Sequence, residues 1–148
     1  MDQDKITANN IAIAVDVAIF NKAGQVLLGK RLAQAGYGTW GLPGGHILDK
    51  EDILDAARRE LEEELGSNAQ INIINKIIAL RDNSLPPQFI RHLTIILKGE
   101  YLGGEVLVNE PERCEKWEWF DLDKLPEPLF NKIDGVLKNY IDNQSAIV

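Results

Sequence analysis

Three glutamates spaced within one turn of a predicted helix are the residues of this chain best suited to metal chemistry. Glu60, Glu63 and Glu64 stand at i, i+3 and i+4, so their side chains emerge from one helical face. Like charges this close repel each other and weaken an isolated helix. A hard divalent cation such as Mg²⁺ or Mn²⁺ binds carboxylate oxygens and shares its remaining positions with water or phosphate oxygens. The spacing therefore predicts a divalent-metal site that could act on phosphate groups.

The residues around these acids are suited to holding them in place. Gly44 and Gly45 precede the helix and allow the backbone to approach a metal or a ligand without a Cβ atom in the way. Asp52 is predicted to cap the start of the helix, and Gly66 to end it. The opposite face carries an apolar stripe that can pack on a sheet, formed by Leu54, Ala57, Leu61 and Leu65.

An acidic helix face is more often simply solvated than functional, and Glu62, Glu63 and Glu64 alone would favour that interpretation. Further residues at fixed offsets favour a functional face over a solvated one. With them, the whole stretch resembles the Nudix box, written G-x5-E-x7-R-E-U-x-E-E-x-G-U with U apolar. A motif this long is far more specific than a short glycine pattern. The matching residues are Gly45, Glu51, Arg59, Glu60, Leu61, Glu63, Glu64 and Gly66.

Two positions depart from the family pattern. The final apolar position is Ser67, for which we expect weaker local packing and no loss of chemistry. Leu48 stands where many family members carry a glutamate, so no carboxylate role is expected there.

The resemblance implies a set of roles for the box residues. The metal ligands would be the backbone carbonyl of Gly45 and the carboxylates of Glu60, Glu63 and Glu64. Arg59 would orient a box glutamate, although it could also be an ordinary surface partner of neighbouring acids. The general base could be a box glutamate or another acid, and Glu63 is our candidate.

Substrate-binding candidates lie outside the box. Arg31 ends a predicted strand, and its planar fork could grip two phosphate oxygens, as an arginine here does in relatives; the alternative is a strand-end cation. Softer matches along the chain resemble the branch that contains MutT-like nucleoside triphosphate diphosphatases, which implies that Thr94 and Trp119 line the base pocket. Trp119 could equally fill the core. His46 could reach the substrate or lie on the loop surface, and His92 is expected to be packed or hydrogen-bonded.

The activity implied by the resemblance is Mg²⁺-dependent hydrolysis of a nucleoside triphosphate, such as one with an oxidised or modified purine, to the monophosphate and pyrophosphate. One alternative is hydrolysis of ADP-ribose or a dinucleoside polyphosphate. Another is a non-catalytic domain that senses a nucleotide, but such domains commonly lose box carboxylates and all of them are present here. The branch resemblance also implies a homodimer.

Composition limits the partners. The net charge of −7 on 148 residues argues against broad binding to nucleic-acid phosphates, so we expect a nucleotide substrate and no nucleic-acid polymer. Cys114 is the only cysteine, which excludes an intrachain disulfide and fits a reducing compartment. The N-terminal residues are polar and no apolar run approaches a membrane span, so we expect no signal peptide, no membrane association and a cytoplasmic location.

The order of elements predicts a mixed α/β protein. The resemblance implies, more specifically, a single Nudix domain over residues 1–148, folded as an α/β/α sandwich with a mixed sheet and with the box as a loop–helix–loop. Residues 82–87 are expected to break a strand. The predicted strands are 11–20, 26–31, 71–80, 89–101, 105–108 and 116–120, and the predicted helices are 53–65 and 129–140.

Overall fold

A mixed β-sheet lies between two helices in the computed structural model, which describes residues 11–85, 90–141 and 146–148. The elements in chain order are β1 (Ile11–Phe20), β2 (Val26–Arg31), β3 (Trp40–Gly41), β4 (Gly44–His46), α1 (Ile53–Leu65), β5 (Gln70–Leu85), β6 (Ile90–Gly103), β7 (Cys114–Phe120), α2 (Ile133–Ile141) and β8 (Ala146–Ile147).

The sheet has the strand order β3-β2-β1-β6-β5-β8, with β4 also paired to β1 and β7 to β2. Strand β1 runs parallel to β6 along its whole length and antiparallel to β4, which sets Gly45 beside Val15. Strand β5 runs antiparallel to β6. Gly44 and Gly45 are therefore backbone neighbours of a central, buried strand.

The two faces of the sheet form two apolar clusters. Successive side chains of β1 point to opposite faces, so Val15 and Val17 pack towards α1 while Ala18 and Phe20 pack towards α2. The α1 cluster receives Ala56, Ala57, Leu61 and Leu65 from the helix, and the α2 cluster receives Ile133, Val136 and Leu137. One helix on each face of a mixed sheet confirms the predicted α/β/α sandwich.

Helix α1 has the predicted bounds because local capping determines both of its ends. The Asp52 Oδ1 atom accepts a hydrogen bond from the backbone N–H of Asp55 at 2.8 Å. At the other end Gly66 has a φ of 83°, and its N–H donates to the carbonyl of Glu62 at 3.0 Å. The acidic face of the helix is thus fixed in register with the loop before it.

Two strand predictions were wrong. Residues 105–108 form no strand, because the backbone N–H of Leu107 donates to the carbonyl of Leu65 at 2.9 Å and so serves the open end of α1. Strand β5 does not break at Asp82 but continues to Leu85, and Asp82 is paired there with Arg91 at 2.6 Å. The expected break at Pro86 and Pro87 lies outside the described residues.

The second helix starts later than predicted, at Ile133. Leu129 forms a bridge with Trp40, and the N–H of Phe130 donates to the Trp40 carbonyl at 2.7 Å, which keeps this segment out of the helix. Within the described ranges, neither helix combines the length and the apolar character required to cross a bilayer.

Candidate active site

A cavity of about 560 Å³ opens across the sheet beside the acidic face of α1. It brings together five of the predicted site residues from three strands and one helix: Arg31, Gly45, Glu60, Glu64 and Thr94. Thr94 is only 2% exposed, so it belongs to the buried floor of the cavity.

Three predicted residues, Arg59, Glu63 and Trp119, do not line this cavity. The side chain of Glu63 is 49% exposed and lies beside Arg59. The indole of Trp119 packs in the α1 cluster with its ring centroid 5.0 Å from that of Tyr101. Its neighbour on the same face, Trp117, does line the cavity, beside Gly29.

Arg59 joins the box loop to the box helix. Its Nε donates to Glu51 at 2.7 Å, and its Nη2 donates to the carbonyl of His46 at 2.9 Å. Its Nη1 donates to Glu60 at 3.0 Å and to Glu63 at 3.2 Å. The hydrogen bond from Arg59 holds the pKa of Glu51 below its ordinary value. One guanidinium therefore links Glu60 to the loop, and the orienting role of Arg59 stays a prediction.

The Glu60 carboxylate lies against Gly45, and the Glu64 carboxylate lies against Gly44. A Cβ atom on Gly45 would lie 2.4 Å from the Glu60 carboxylate, so only glycine allows this approach. The N–H of Gly44 donates to Glu64 Oε2 at 3.3 Å. Burial, with the nearby charge of Glu60 adding, raises the pKa of Glu64 to about 9. Burial also raises the pKa of Glu60, although Arg59 opposes the effect.

The carboxylate oxygens of Glu60 and Glu64 are donors that suit a hard divalent cation. Within the described ranges no group of three or more His, Cys, Asp or Glu side chains is placed to hold a metal ion by itself. Two carboxylates at an open cavity, Glu60 and Glu64, suit a divalent ion that keeps water and shares its coordination with a phosphate. A bound cation would also relieve the repulsion between Glu60 and Glu64 that favours their protonation.

Arg31 lines the same cavity from the end of β2. Its Nε donates to the carbonyl of Ala35 at 3.0 Å, and its guanidinium lies 4.0 Å from the ring centroid of Phe130. Burial lowers the pKa of Arg31, while the charges of Asp16 and Glu64 oppose this shift. These contacts hold a cationic fork beside the acidic end of the cavity.

A buried ion pair and an amide on the floor were not predicted from the sequence. Arg81 Nη2 donates to Asp16 Oδ2 at 2.9 Å, and both residues are at most 8% exposed. Burial raises the pKa of Asp16, and Arg81 opposes the shift. Asn83 lies two residues beyond Arg81 and also lines the cavity. A usable signal existed, since Asp16 is the one charge in the apolar run Ile11–Phe20.

Both histidines line the cavity, with their ring centroids 5.7 Å apart. The Nδ1 atom of His92 lies 2.8 Å from the carbonyl oxygen of Ile90, in agreement with the expected hydrogen-bonded residue. Burial, with His92 adding, lowers the pKa of His46. Glu110, from the segment before β7, also lines the cavity, and its negative charge adds to the raised pKa of Glu60 and Glu64.

Comparisons with known proteins agree with this arrangement. The NUDIX domain model matches residues 10–140. The chain is 31% identical to an RNA pyrophosphohydrolase of Bartonella bacilliformis, over 76% of this chain and 78% of that protein. It is 29% identical to an ADP-ribose pyrophosphatase of Methanocaldococcus jannaschii, over 88% of this chain and 73% of that protein.

A solved structure of a MutT NUDIX hydrolase from Burkholderia pseudomallei superposes with a TM-score of 0.77 at 32% identity, covering 87% of this chain and 97% of that one. The mixed sheet between two helices is therefore the fold of known Nudix enzymes, which use divalent metal ions. The domain match, the relatives and the acidic cavity lead to one conclusion: this chain belongs to the Nudix family and is a hydrolase of pyrophosphate bonds.

Proposed function

We propose that this protein hydrolyses a nucleoside triphosphate to the monophosphate and pyrophosphate, with Mg²⁺ or Mn²⁺ held by Gly45, Glu60 and Glu64. The observation that carries the proposal is the shared cavity, in which an acidic end suited to a metal adjoins the cationic fork of Arg31 and a buried polar floor. A cavity of about 560 Å³ is also of the size that ordinarily encloses a small ligand.

The roles of the side chains follow from their contacts. A divalent cation bound at this site would neutralise phosphate charge and activate a water molecule. Arg31 would grip the phosphates, and Arg59 would keep Glu60 aimed at Gly45 through its hydrogen bonds. The role of Glu63 as general base or metal ligand stays a prediction, because its carboxylate is paired with Arg59 and its side chain is half-exposed.

A second candidate is an RNA substrate, favoured by the relatives named RNA pyrophosphohydrolase. The pyrophosphate bonds of an RNA lie at a triphosphorylated 5′ end, so the same metal and arginine could serve it. The net charge of −7 opposes a long polyanion and favours the free nucleotide. The relative named ADP-ribose pyrophosphatase makes ADP-ribose a third substrate to compare.

The deciding experiment is turnover of matched substrates with Mg²⁺, with pyrophosphate and monophosphate measured directly. The panel holds the nucleoside triphosphates, a 5′-triphosphorylated oligoribonucleotide, ADP-ribose and a dinucleoside polyphosphate. We expect the free triphosphates to have the highest kcat/KM and to release pyrophosphate. A higher kcat/KM for the oligoribonucleotide or for ADP-ribose would refute the triphosphate assignment and keep the pyrophosphate chemistry.

Variants of the acidic face link the activity to this cavity. Glu64→Gln should lower kcat by about two orders of magnitude or more, because it removes a charged ligand from the metal. The matched control is Glu62→Gln on the same helix, whose side chain is exposed and outside the cavity. Glu63→Gln is compared with both, and wild-type turnover would remove Glu63 from the mechanism. The cytoplasmic location and the homodimer stay predictions.

A further inference from the structure

Arg81 brings a guanidinium with unused hydrogen-bond donors to the cavity. Its side chain is 5% exposed, and its Nη2 donates to Asp16 Oδ2 at 2.9 Å. Its other two nitrogens, Nε and Nη1, are buried and have no acceptor in the described part of the protein. Folded proteins satisfy nearly all of their buried donors, because an unpartnered N–H group loses its hydration and gains nothing in return. Two free donors on a buried cation that lines a cavity therefore indicate an acceptor that enters with a ligand.

A short series of contacts joins this guanidinium to the acidic end of the cavity. Asp16 on β1 pairs with Gly44 on β4, and Asp16 Oδ1 fills the space that a Cβ atom on Gly44 would occupy. The N–H of Gly44 in turn donates to Glu64 Oε2 at 3.3 Å. Only the Asp16 side chain and the backbone of Gly44 therefore stand between Arg81 and the proposed metal ligand Glu64.

One aromatic ring holds Arg81 close to Arg31. The guanidinium carbon of Arg31 lies 4.0 Å from the ring centroid of Phe130, and that of Arg81 lies 5.6 Å from the same centroid. All three residues line the cavity. Among the described residues, Arg31 has an acceptor only for its Nε, which donates to the carbonyl of Ala35, so its two terminal nitrogens are also available to a ligand.

Two guanidinium groups on one ring repel each other and favour an anion close by. Burial lowers the pKa of Arg31, and the positive charge of Arg81 adds to this effect, although Asp16 and Glu64 oppose it. The Asp16 carboxylate offsets one of the two guanidinium charges and leaves the other. A phosphate group supplies negative charge and several acceptor oxygens, which suit adjacent guanidinium groups with free donors.

We propose that Arg81 is a second phosphate-binding residue, which with Arg31 holds the phosphate beyond the bond that is cleaved and so selects a triphosphate over a diphosphate. This inference rests on the proposed function. When the bond to be cleaved lies at a metal held by Glu60 and Glu64, a triphosphate extends a further phosphate to the two arginines. A nucleoside diphosphate has no group to reach them, and the free donors of Arg81 then stay unpaired.

Two variants disturb the same ion pair but change the phosphate site in opposite ways. Arg81→Lys keeps a positive charge for Asp16 and removes the free guanidinium donors, whereas Asp16→Asn keeps the guanidinium and removes the negative charge beside it. The matched control is Lys76→Gln, on the same strand as Arg81, exposed and outside the cavity. The probe is inorganic tripolyphosphate in metal-free buffer, so that a bound cation makes no contribution, and its dissociation constant is measured by calorimetry.

Thermal unfolding without the probe checks the fold of each variant. Asp16→Thr, which is also uncharged and suits a strand, replaces Asp16→Asn if the latter does not fold. The double variant Asp16→Asn/Arg81→Gln, which leaves no buried charge unpaired, replaces Arg81→Lys in the same case and is then compared with the single change at Asp16.

We expect Arg81→Lys to weaken tripolyphosphate binding about 10-fold or more, because it removes hydrogen bonds to a charged acceptor. Asp16→Asn should tighten binding about 3- to 30-fold, because a negative charge beside the phosphate is gone, and Lys76→Gln should leave it unchanged. An ion pair with a purely structural role would make both changes weaken binding. The inference is overturned if Arg81→Lys leaves binding unchanged or if Asp16→Asn does not tighten it.

A second measurement separates this inference from the proposed function. The ratio of kcat/KM for a nucleoside triphosphate to that for the corresponding diphosphate, with Mg²⁺ present, should fall about 5-fold or more in Arg81→Lys and stay at the wild-type value in Lys76→Gln. If no triphosphate is hydrolysed but the two changes shift tripolyphosphate binding in opposite directions, the proposed function fails and the phosphate site stands. If triphosphates are hydrolysed but Arg81→Lys changes neither the ratio nor the binding, the proposed function stands and this inference fails.

Discussion

Replacing Glu64 by glutamine should abolish a pH dependence of stability that the metal-free protein carries. The pKa of Glu64 is raised in the folded state to about 9 from an ordinary 4.5, chiefly by burial. Between these two values the folded protein holds a proton on Glu64 that the unfolded chain has released. Stability from this group is therefore complete below the unfolded pKa and is lost as the pH rises through the folded one.

The magnitude follows from one proton difference. Across this window the free energy of unfolding falls by about 1.4 kcal/mol per pH unit. From about pH 6 to about pH 8 the loss is therefore about 3 kcal/mol, which lowers Tm by about 5–11 °C in a domain of this size. The glutamine of Glu64→Gln has no proton to lose. Between about pH 6 and about pH 8 the Tm of this variant should therefore fall about 5–11 °C less than the Tm of the wild type.

The assay is thermal unfolding followed by circular dichroism in EDTA at several pH values, for wild type, Glu64→Gln and the exposed control Glu62→Gln. The control should follow the wild type, because its carboxylate is solvated in both states. Mg²⁺ should flatten the wild-type curve, since a bound cation replaces the proton on Glu64. Equal slopes for the wild type and Glu64→Gln in EDTA would refute the argument that burial keeps this carboxyl protonated.

Three further changes test the phosphate grip, the box network and the core. Arg31→Ala should raise KM about tenfold or more with a smaller effect on kcat, whereas the control Lys30→Ala should leave KM unchanged. Both variants are measured by steady-state kinetics with a nucleoside triphosphate. An unchanged KM in Arg31→Ala would mean that Arg31 is only a strand-end cation. Arg59→Ala should lower kcat about 10- to 100-fold, against a control of Arg58→Ala on the exposed face, and equal kcat values would contradict the orienting role. Leu65→Ala removes a fully buried side chain and should cost about 2–5 kcal/mol in urea unfolding, a loss below about 1 kcal/mol being incompatible with the packing described.

The box helix could be predicted closely because its determinants are local. Asp52 and Gly66 mark its ends, and the apolar stripe indicates which side faces the sheet. The same spacing places Glu60 and Glu64 at the cavity. The spacing did not predict the position of Glu63, because the carboxylate of Glu63 is bound by Arg59 outside the cavity. Several acids compete for this one guanidinium, and spacing alone does not show which of them it binds.

The features that sequence reasoning missed depend on contacts between distant parts of the chain. The Asp16–Arg81 pair joins residues 65 positions apart, so nothing in the sequence near either residue indicates its partner. Residues 105–108 have a strand-like composition, but their backbone donates instead to a carbonyl at the C-terminal end of α1, through the hydrogen bond from Leu107 to Leu65. The sequence could not decide between a pocket and a core position for Trp119, because only the packed structure shows that its ring lies against Tyr101.

The parallel pairing of β1 with β6 has a consequence for how the molecule comes into being on the ribosome. Ile11 pairs beside Arg91, so about 80 residues must follow β1 before the strand meets its main partner. At ordinary rates of synthesis this interval lasts about 4–16 s. Throughout it one of the most apolar segments of the chain is a nascent strand without its principal neighbour, open to association with other chains. The antiparallel pair of β5 and β6 can form as soon as both strands have emerged, whereas the floor of the cavity is completed only when β1 docks onto β6.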